Sequence, residues 1–135
     1  MKNILEYIAE RADARPEATA LIHCGPDGAA ARTCYAALLQ EAQKFAATFQ
    51  ANLNAPAILP MHLGKTASTA AAMLGALGAG HAFAVLNRKL RAPQIAHVLQ
   101  RSKCPVALID PENALTLTLG KNPAIEMLPE VSWWQ

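Results

Sequence analysis

The stretch Leu74 to Asn87 reads LGALGAGHAFAVLN, and its two halves follow different rules. Up to Gly80 it continues an alanine-rich segment in which Ala67, Ala70, Ala71, Gly75, Ala76 and Ala79 keep one backbone free of bulk. After Gly80 an uninterrupted apolar run, Ala82 to Leu86, begins. Small residues allow a helix to lie close against a sheet, and a glycine at the end supplies the reversal that a helix C-terminus needs. The stretch therefore predicts a helix running directly into a buried strand, with Pro56 to Asn87 as the unit around which the chain is arranged.

Upstream, Asn3 can cap a first helix with Glu6 as its capping-box partner, and Ile4, Leu5, Ile8 and Ala12 recur at helical spacing. Pro16 closes that region. Ala18 to His23 reads as a strand, Gly25 to Gly28 (GPDG) as a turn, and Ala29 to Thr33 as a returning strand, together a hairpin. From Tyr35 to about Leu53, residues Leu38, Ala42, Phe45, Ala46, Phe49 and Leu53 form one apolar stripe of a helix. Ala57 to Leu63 is the next strand. Pro60 cannot donate to a ladder, which predicts a place near the strand start or on an unpaired edge.

Downstream, Pro93 suits the first turn of a helix whose buried face is Ile95, Val98 and Leu99, and Val106 to Asp110 is a short buried strand. Strands alternating with helices imply an α/β fold, a parallel sheet with helices packed on it and a hairpin at the N-terminal end. In the tail, Leu115, Leu117 and Leu119 alternate with threonines as in a strand, and Ile125 to Leu128 suggests another. Residues 1–110 thus read as the α/β unit and 111–135 as a less regular tail. Trp133 and Trp134 call for something to pack against, so the tail is expected to meet a partner or a further part of the protein.

Composition excludes several classes. Of 135 residues, 53% are hydrophobic and only 16% charged, and the net charge is +2. The chain can bury a core, but its surface is poor in charge, which suggests neighbours that cover it. Lys and Arg are scattered apart from Arg88, Lys89 and Arg91, so no broad basic face for nucleic acid is expected. Ala67 to Leu86 approaches the length of a membrane span, yet alanine and glycine insert weakly and Ser68, Thr69, His81, Gly78 and Gly80 interrupt it. Cys24, Cys34 and Cys104 are odd in number and lie outside any CxxC spacing, as fits reduced packing thiols. With no export signal at the acidic N-terminal segment, cytoplasm is the expected compartment.

The motifs that could carry chemistry are incomplete. Gly64-Lys65-Thr66 matches the end of a phosphate-binding loop, but Leu59 stands where its first glycine should be, leaving a helix-start turn with a solvated lysine. Gly75, Gly78 and Gly80 close a helix, whereas a dinucleotide-binding glycine set opens one. His23, His62, His81 and His97 lack metal-ligand spacing, and Ser68, Ser102 and Ser132 lack the context of a nucleophile elbow. Asp110 stands at a strand end, where α/β sites lie, although Asp110-Pro111 also ends a strand without further purpose. No catalytic, cofactor-binding or metal-binding residue is assigned.

Four segments nevertheless resemble, in order and spacing, the N-terminal part of the AMP-forming adenylating enzymes: acyl-CoA synthetases, acyl-AMP ligases, luciferases and the adenylation domains of nonribosomal peptide synthetases. ATALIH (Ala18 to His23) is similar to the family's "pALI" strand and RTCYAALL (Arg32 to Leu39) to its "LTYxELL" helix start. LGALGAGHAFAVLNR (Leu74 to Arg88) resembles "LGxLKAGxxYVPLDP", and PQIAHVLQRSKCPVALID (Pro93 to Asp110) resembles "xxIxHILxxSxxxVLI". Cys34 and Ala37 depart from the usual capping threonine and glutamate, which deprives that helix of its capping box. Gly64-Lys65 replaces a usual Pro-Asn, Gly78 a common lysine and Asn87-Arg88 the Asp-Pro.

The resemblance implies a scaffold portion of an enzyme that activates a carboxylate with ATP and Mg to an acyl adenylate and passes it to a thiol. The family's Ser/Thr/Gly-rich phosphate loop, adenine-side aromatic motif, ribose-binding aspartate and C-terminal lysine lie downstream of the resembling region and are absent from this sequence. The expectation is a chain inactive alone, binding no cofactor by itself, and completed by a complementary adenylating-enzyme chain, as in a split enzyme, or by the remainder of a longer one. The alternative is a non-catalytic interaction or regulatory protein of the same ancestry that self-associates through exposed sheet and apolar surface. An independent nucleotide-binding enzyme would require a phosphate cradle that the sequence lacks.

Overall fold

The computed structural model describes residues 1–62, 66–87, 89–109 and 118–121. The chain divides into two compact units, one built from residues 1–51 and 66–80, the other from 52–62, 81–87, 89–109 and 118–121.

The first unit contains α1 (Ile4–Ala14), the antiparallel hairpin β1 (Thr19–Cys24) and β2 (Ala30–Cys34), α2 (Tyr35–Asn52) and α3 (Ala67–Gly78). The α1 cap forms as the sequence predicts: the Glu6 N–H donates to Asn3 Oδ1 at 3.1 Å, and the Asn3 N–H donates to a Glu6 carboxylate oxygen at 2.6 Å. In the hairpin, Gly28 sits at φ +80, its N–H donates to the Gly25 carbonyl at 3.0 Å, and Asp27 accepts from the Ala29 N–H. Each strand lies about one residue further along than the pattern suggests.

On α2 the expected stripe is buried at Leu38, Ala42, Phe45 and Phe49, and the rings of Phe45 and Phe49 stack with centroids 5.9 Å apart. The lost capping box is replaced from a distance. The Tyr35 N–H donates to the Ala18 carbonyl at 3.0 Å and the Ala36 N–H to the Pro16 carbonyl at 3.1 Å, so two otherwise orphaned helix-start amides are satisfied by the chain leading into β1.

In α3, Thr66 is the N-cap, and its hydroxyl accepts from the Thr69 N–H at 3.2 Å. Two glycines of α3 face other helices, whereas Ala67 and Ala70 lie beside strand β1. At Gly75 a Cβ would lie 2.6 Å from the Phe45 Cβ and 2.7 Å from the Ala42 carbonyl oxygen; at Gly78 it would meet Leu5. The glycines therefore let α3 approach the neighbouring helices α2 and α1. Gly80, at φ +85, makes the turn that ends the segment.

The second unit is a four-stranded sheet in the order β4-β3-β5-β6, formed by β3 (Ile58–His62), β4 (Ala82–Val85), β5 (Val106–Ile109) and β6 (Thr118–Lys121), with α4 (Ala92–Ser102) packed against β3. Both partners of β3 run parallel to it, whereas β6 joins β5 antiparallel. Of the expected tail strands, only residues 118–119 coincide with β6; Leu115, Leu117 and Ile125 to Leu128 lie outside the described residues, as do Trp133 and Trp134. Ile95, Val98 and Leu99 of α4 pack with Leu86, Leu90 and Ala107, as the amphipathic spacing predicts.

Pro60, expected near the strand start or on an unpaired edge, sits at neither. It is the third residue of β3, an interior strand, and is fully buried. The Ala57 and Met61 carbonyls accept from the β4 side, from the Ala82 and Leu86 N–H groups at 2.9 and 2.8 Å. By the two-residue period of a strand, the backbone groups of Pro60 face β5. Pairing with β5 starts only at Met61 with Leu108, so the missing N–H falls one residue before the ladder that would use it.

Candidate functional site

Three places in the described residues gather polar groups. In the first unit, Leu21, Ile22 and His23 of β1 and Thr66, Ala67, Thr69 and Ala70 at the start of α3 line an open recess of about 310 Å³. Its threonine hydroxyls are already engaged: those of Thr66 and Thr69 lie 3.2 Å apart, and the Thr66 oxygen also receives the Thr69 amide. One turn away, the Ser68 hydroxyl donates to the Glu41 carboxylate at 2.7 Å, joining α3 to α2. A serine held by a carboxylate alone, with no imidazole between them, is a structural clasp and lacks a base in the arrangement of a nucleophile triad.

In the second unit, His81 is buried between Gly80 and β4, where its Nδ1 accepts from the Ala57 N–H at 3.2 Å. The Ala57 carbonyl in turn accepts from the Ala82 N–H. Adjacent residues thus hold both polar groups of Ala57 and fix where β3 and β4 begin. Burial lowers the His81 pKa below its ordinary 6.5, consistent with a neutral ring serving as acceptor. The sequence placed this histidine beside the αL glycine and ahead of an apolar strand but offered no partner for it, because an acceptor for a backbone amide 24 residues earlier has no spacing signature.

The third place is the outer surface around α4, where His97, Gln100, Arg101 and Lys103 border an open recess. His97 is exposed there, and His23 is exposed on β1. Ser102 donates to the Leu99 carbonyl at 2.8 Å and accepts from the Cys104 N–H, a helix-end role. The three cysteines are free thiols with different settings: Cys104 is buried as a packing thiol should be, Cys34 is half-buried, and Cys24 is exposed at the end of β1, against its reading as a packing residue. Burial pushes the Cys104 thiol up in pKa, against a smaller opposite pull from the Val106 backbone.

Among the described residues, no group of three or more His, Cys, Asp or Glu side chains could hold a metal ion, and no helix is long and apolar enough to cross a membrane. Gly64, Lys65, Arg88, Asp110 and Ser132 lie outside the described residues, as does the side chain of His62. Among the described residues, the histidines and serines considered from sequence therefore converge on no single site.

Residues 8–132 match the family described as AMP-binding enzyme. The chain belongs to the AMP-binding enzyme family. Solved structures agree on the fold. The N-terminal domain of FACL13 from Mycobacterium tuberculosis superposes with a TM-score of 0.73 at 23% identity, over 84% of this chain and 29% of that one. The Klebsiella oxytoca NpsA N-terminal subdomain gives 0.70 at 19% identity, over 84% and 29%. The fatty acyl-adenylate ligase from L. pneumophila, whose structure holds acyl adenylate and pyrophosphate, gives 0.71 at 21% identity, over 82% and 20%. The family member described here thus spans less than a third of the length of these three structures. No curated protein matches its sequence. Within the family fold, the four sequence segments fall on β1, the β2–α2 junction, the α3–β4 turn and the α4–β5 unit.

Proposed function

We propose that this chain is the N-terminal, non-catalytic portion of an AMP-forming carboxylate-activating ligase, one that forms an acyl adenylate once joined to the part carrying the phosphate loop. The observation that carries the reading is the family match across residues 8–132 of a chain that spans only 20–29% of its structural neighbours. It is supported by a sequence that contains no Ser/Thr/Gly-rich phosphate loop. On this reading the chain contributes scaffold, ATP and Mg bind to the assembled enzyme, and the free thiols accord with a cytoplasmic setting. Carboxylate-dependent ATP–pyrophosphate exchange tests it, with this chain alone, the phosphate-loop portion alone, and both together. Exchange in the mixture alone is the expected result. Silence in every tube across a broad panel of acids, despite a demonstrated complex, would sink the idea.

A second reading, a self-associating interaction or regulatory protein, is favoured by β4. That strand ends the sheet among the described residues and carries no proline or charge, and Val85 on it and Ile58 on β3 are 53% and 51% exposed. Bare, uncharged edges of this kind pair with other strands. Sedimentation of the isolated chain distinguishes the two: a stable homodimer that leaves exchange by a companion chain unchanged selects the second.

A further inference from the structure

From Ala42 to Ile109 the sequence contains no aspartate or glutamate, and the described residues of the second unit contain none at all. Its cations concentrate around α4. Lys89 and Arg91 stand at the start of the helix and Arg101 and Lys103 at its end, all exposed, with exposed His97 and Gln100 between them. Among the described residues the one ion pair, Lys2 with Glu10, lies in the first unit. An 11-residue helix is about 16 Å long, so these charges, set at its two ends, are too far apart for one small anion.

Service to the helix itself explains only half of these charges. Arg101 and Lys103 complement the negative end of the helix dipole, but Lys89 and Arg91 add positive charge at its positive end, where no acidic residue occupies the first turn. The second pair weakens the helix that carries it. We propose that the outer face of α4, from Lys89 to Lys103, is a docking surface for an acidic segment of a partner protein.

Charge complementarity selects that occupant. The apolar residues of α4, Ile95, Val98 and Leu99, are turned into the core, while the outward residues Pro93, Gln94, Ala96, His97 and Gln100 include no Phe, Tyr, Trp or large aliphatic side chain. The face therefore lacks the wedge that inserts into a bilayer, and it offers only the single ring of His97 where a strand of bases needs successive rings to stack on. The inference stands on charge and placement and does not depend on the ligase reading.

The test is an NMR titration of the ¹⁵N-labelled full chain with a peptide of Glu-Ala repeats, at low salt and at about 0.15 M salt, where the Debye length is about 8 Å. Shift changes confined to 89–103 and weakened by salt are expected. The Arg91→Gln, Arg101→Gln, Lys103→Gln variant loses affinity about tenfold, while Arg91→Lys with Arg101→Lys keeps it. Shift changes elsewhere, parental affinity in the neutralised variant, or tighter binding of a single-stranded oligonucleotide or an anionic vesicle at these residues would overturn the proposal.

Discussion

Gly75 of α3 lies so close to Phe45 of α2 that a Cβ added to the glycine would stand 2.6 Å from that of the phenylalanine. The second obstacle, the Ala42 carbonyl oxygen at 2.7 Å, belongs to the backbone of α2 and cannot rotate away. Alanine favours a helix interior by about 1 kcal/mol over glycine, but overpacking costs about 1–3 kcal/mol. Because both close contacts meet the α2 backbone and its Cβ, Gly75→Ala is expected to lower the urea midpoint, with a net loss of up to about 2 kcal/mol. Gly78→Ala meets mainly the mobile end of Leu5, and its change is expected within about 1 kcal/mol.

His81 predicts a pH dependence. Its folded pKa lies below 6.5 because burial penalises the charged ring. Above 6.5 the ring is neutral in both folded and unfolded chains, and its contribution is fully present. As pH falls below 6.5 the unfolded chain takes up the proton first, so stability drops and continues to drop until the folded pKa is passed. Protonation of Nδ1 would also abolish the acceptor used by Ala57. Stability measured between about pH 5 and 8 should fall more steeply on the acid side for the parent than for His81→Gln. Parallel curves would refute this role.

Lys103 closes α4 at φ +53, ψ +14, the left-handed conformation that glycine adopts without strain. Lys103→Gly is expected to raise stability by about 1 kcal/mol, read as a higher denaturation midpoint. A lower midpoint would mean that the lysine side chain contributes more than its backbone strain removes.

The thiols should separate by reactivity toward an aromatic disulfide reagent such as DTNB. Cys24 is exposed, whereas Cys104 is 1% exposed with its pKa raised. Because the thiolate is the attacking species, Cys24 is expected to react at once, Cys34 more slowly, and Cys104 only when the chain unfolds. Peptide mapping after partial reaction checks the order, and early labelling of Cys104 contradicts the burial described here.

Local chemistry was legible in the sequence wherever its signal was local. Asn3 with Glu6, the GPDG turn, the Leu38 to Phe49 stripe and the Ile95, Val98, Leu99 face each involve residues within a few turns of one another, and each is found as expected. What remained hidden depended on partners distant in the chain. Pro60 fits inside a sheet because β5 begins pairing one residue later; Gly75 is small because α2 passes over it; β6 reverses direction on residues whose period says only that they form a strand. The family was legible as a pattern of segments, while among the described residues no site is assembled from Ser68, Ser102 or the histidines, whose structural partners are Glu41, the Leu99 carbonyl and, for His81, the Ala57 amide. The α4 charge stripe was legible only as Arg88, Lys89 and Arg91, because Arg101 and Lys103 join it through the helix.

The carbonyls of Pro16 and Ala18, by holding the amides of Ala36 and Tyr35, tie the exit of the hairpin back to its own approach. The start of α2 is thus a clasp across a closed loop, and local sequence alone does not keep it wound. Native-state hydrogen exchange is expected to place the Tyr35 and Ala36 protons in the same opening event as the β1–β2 amides, and those of the middle of α2 with the Phe45–Phe49 core. On that expectation one continuous helix spans two cooperative opening units, and a fluctuation that frays the hairpin would unwind the first turn of α2 with it.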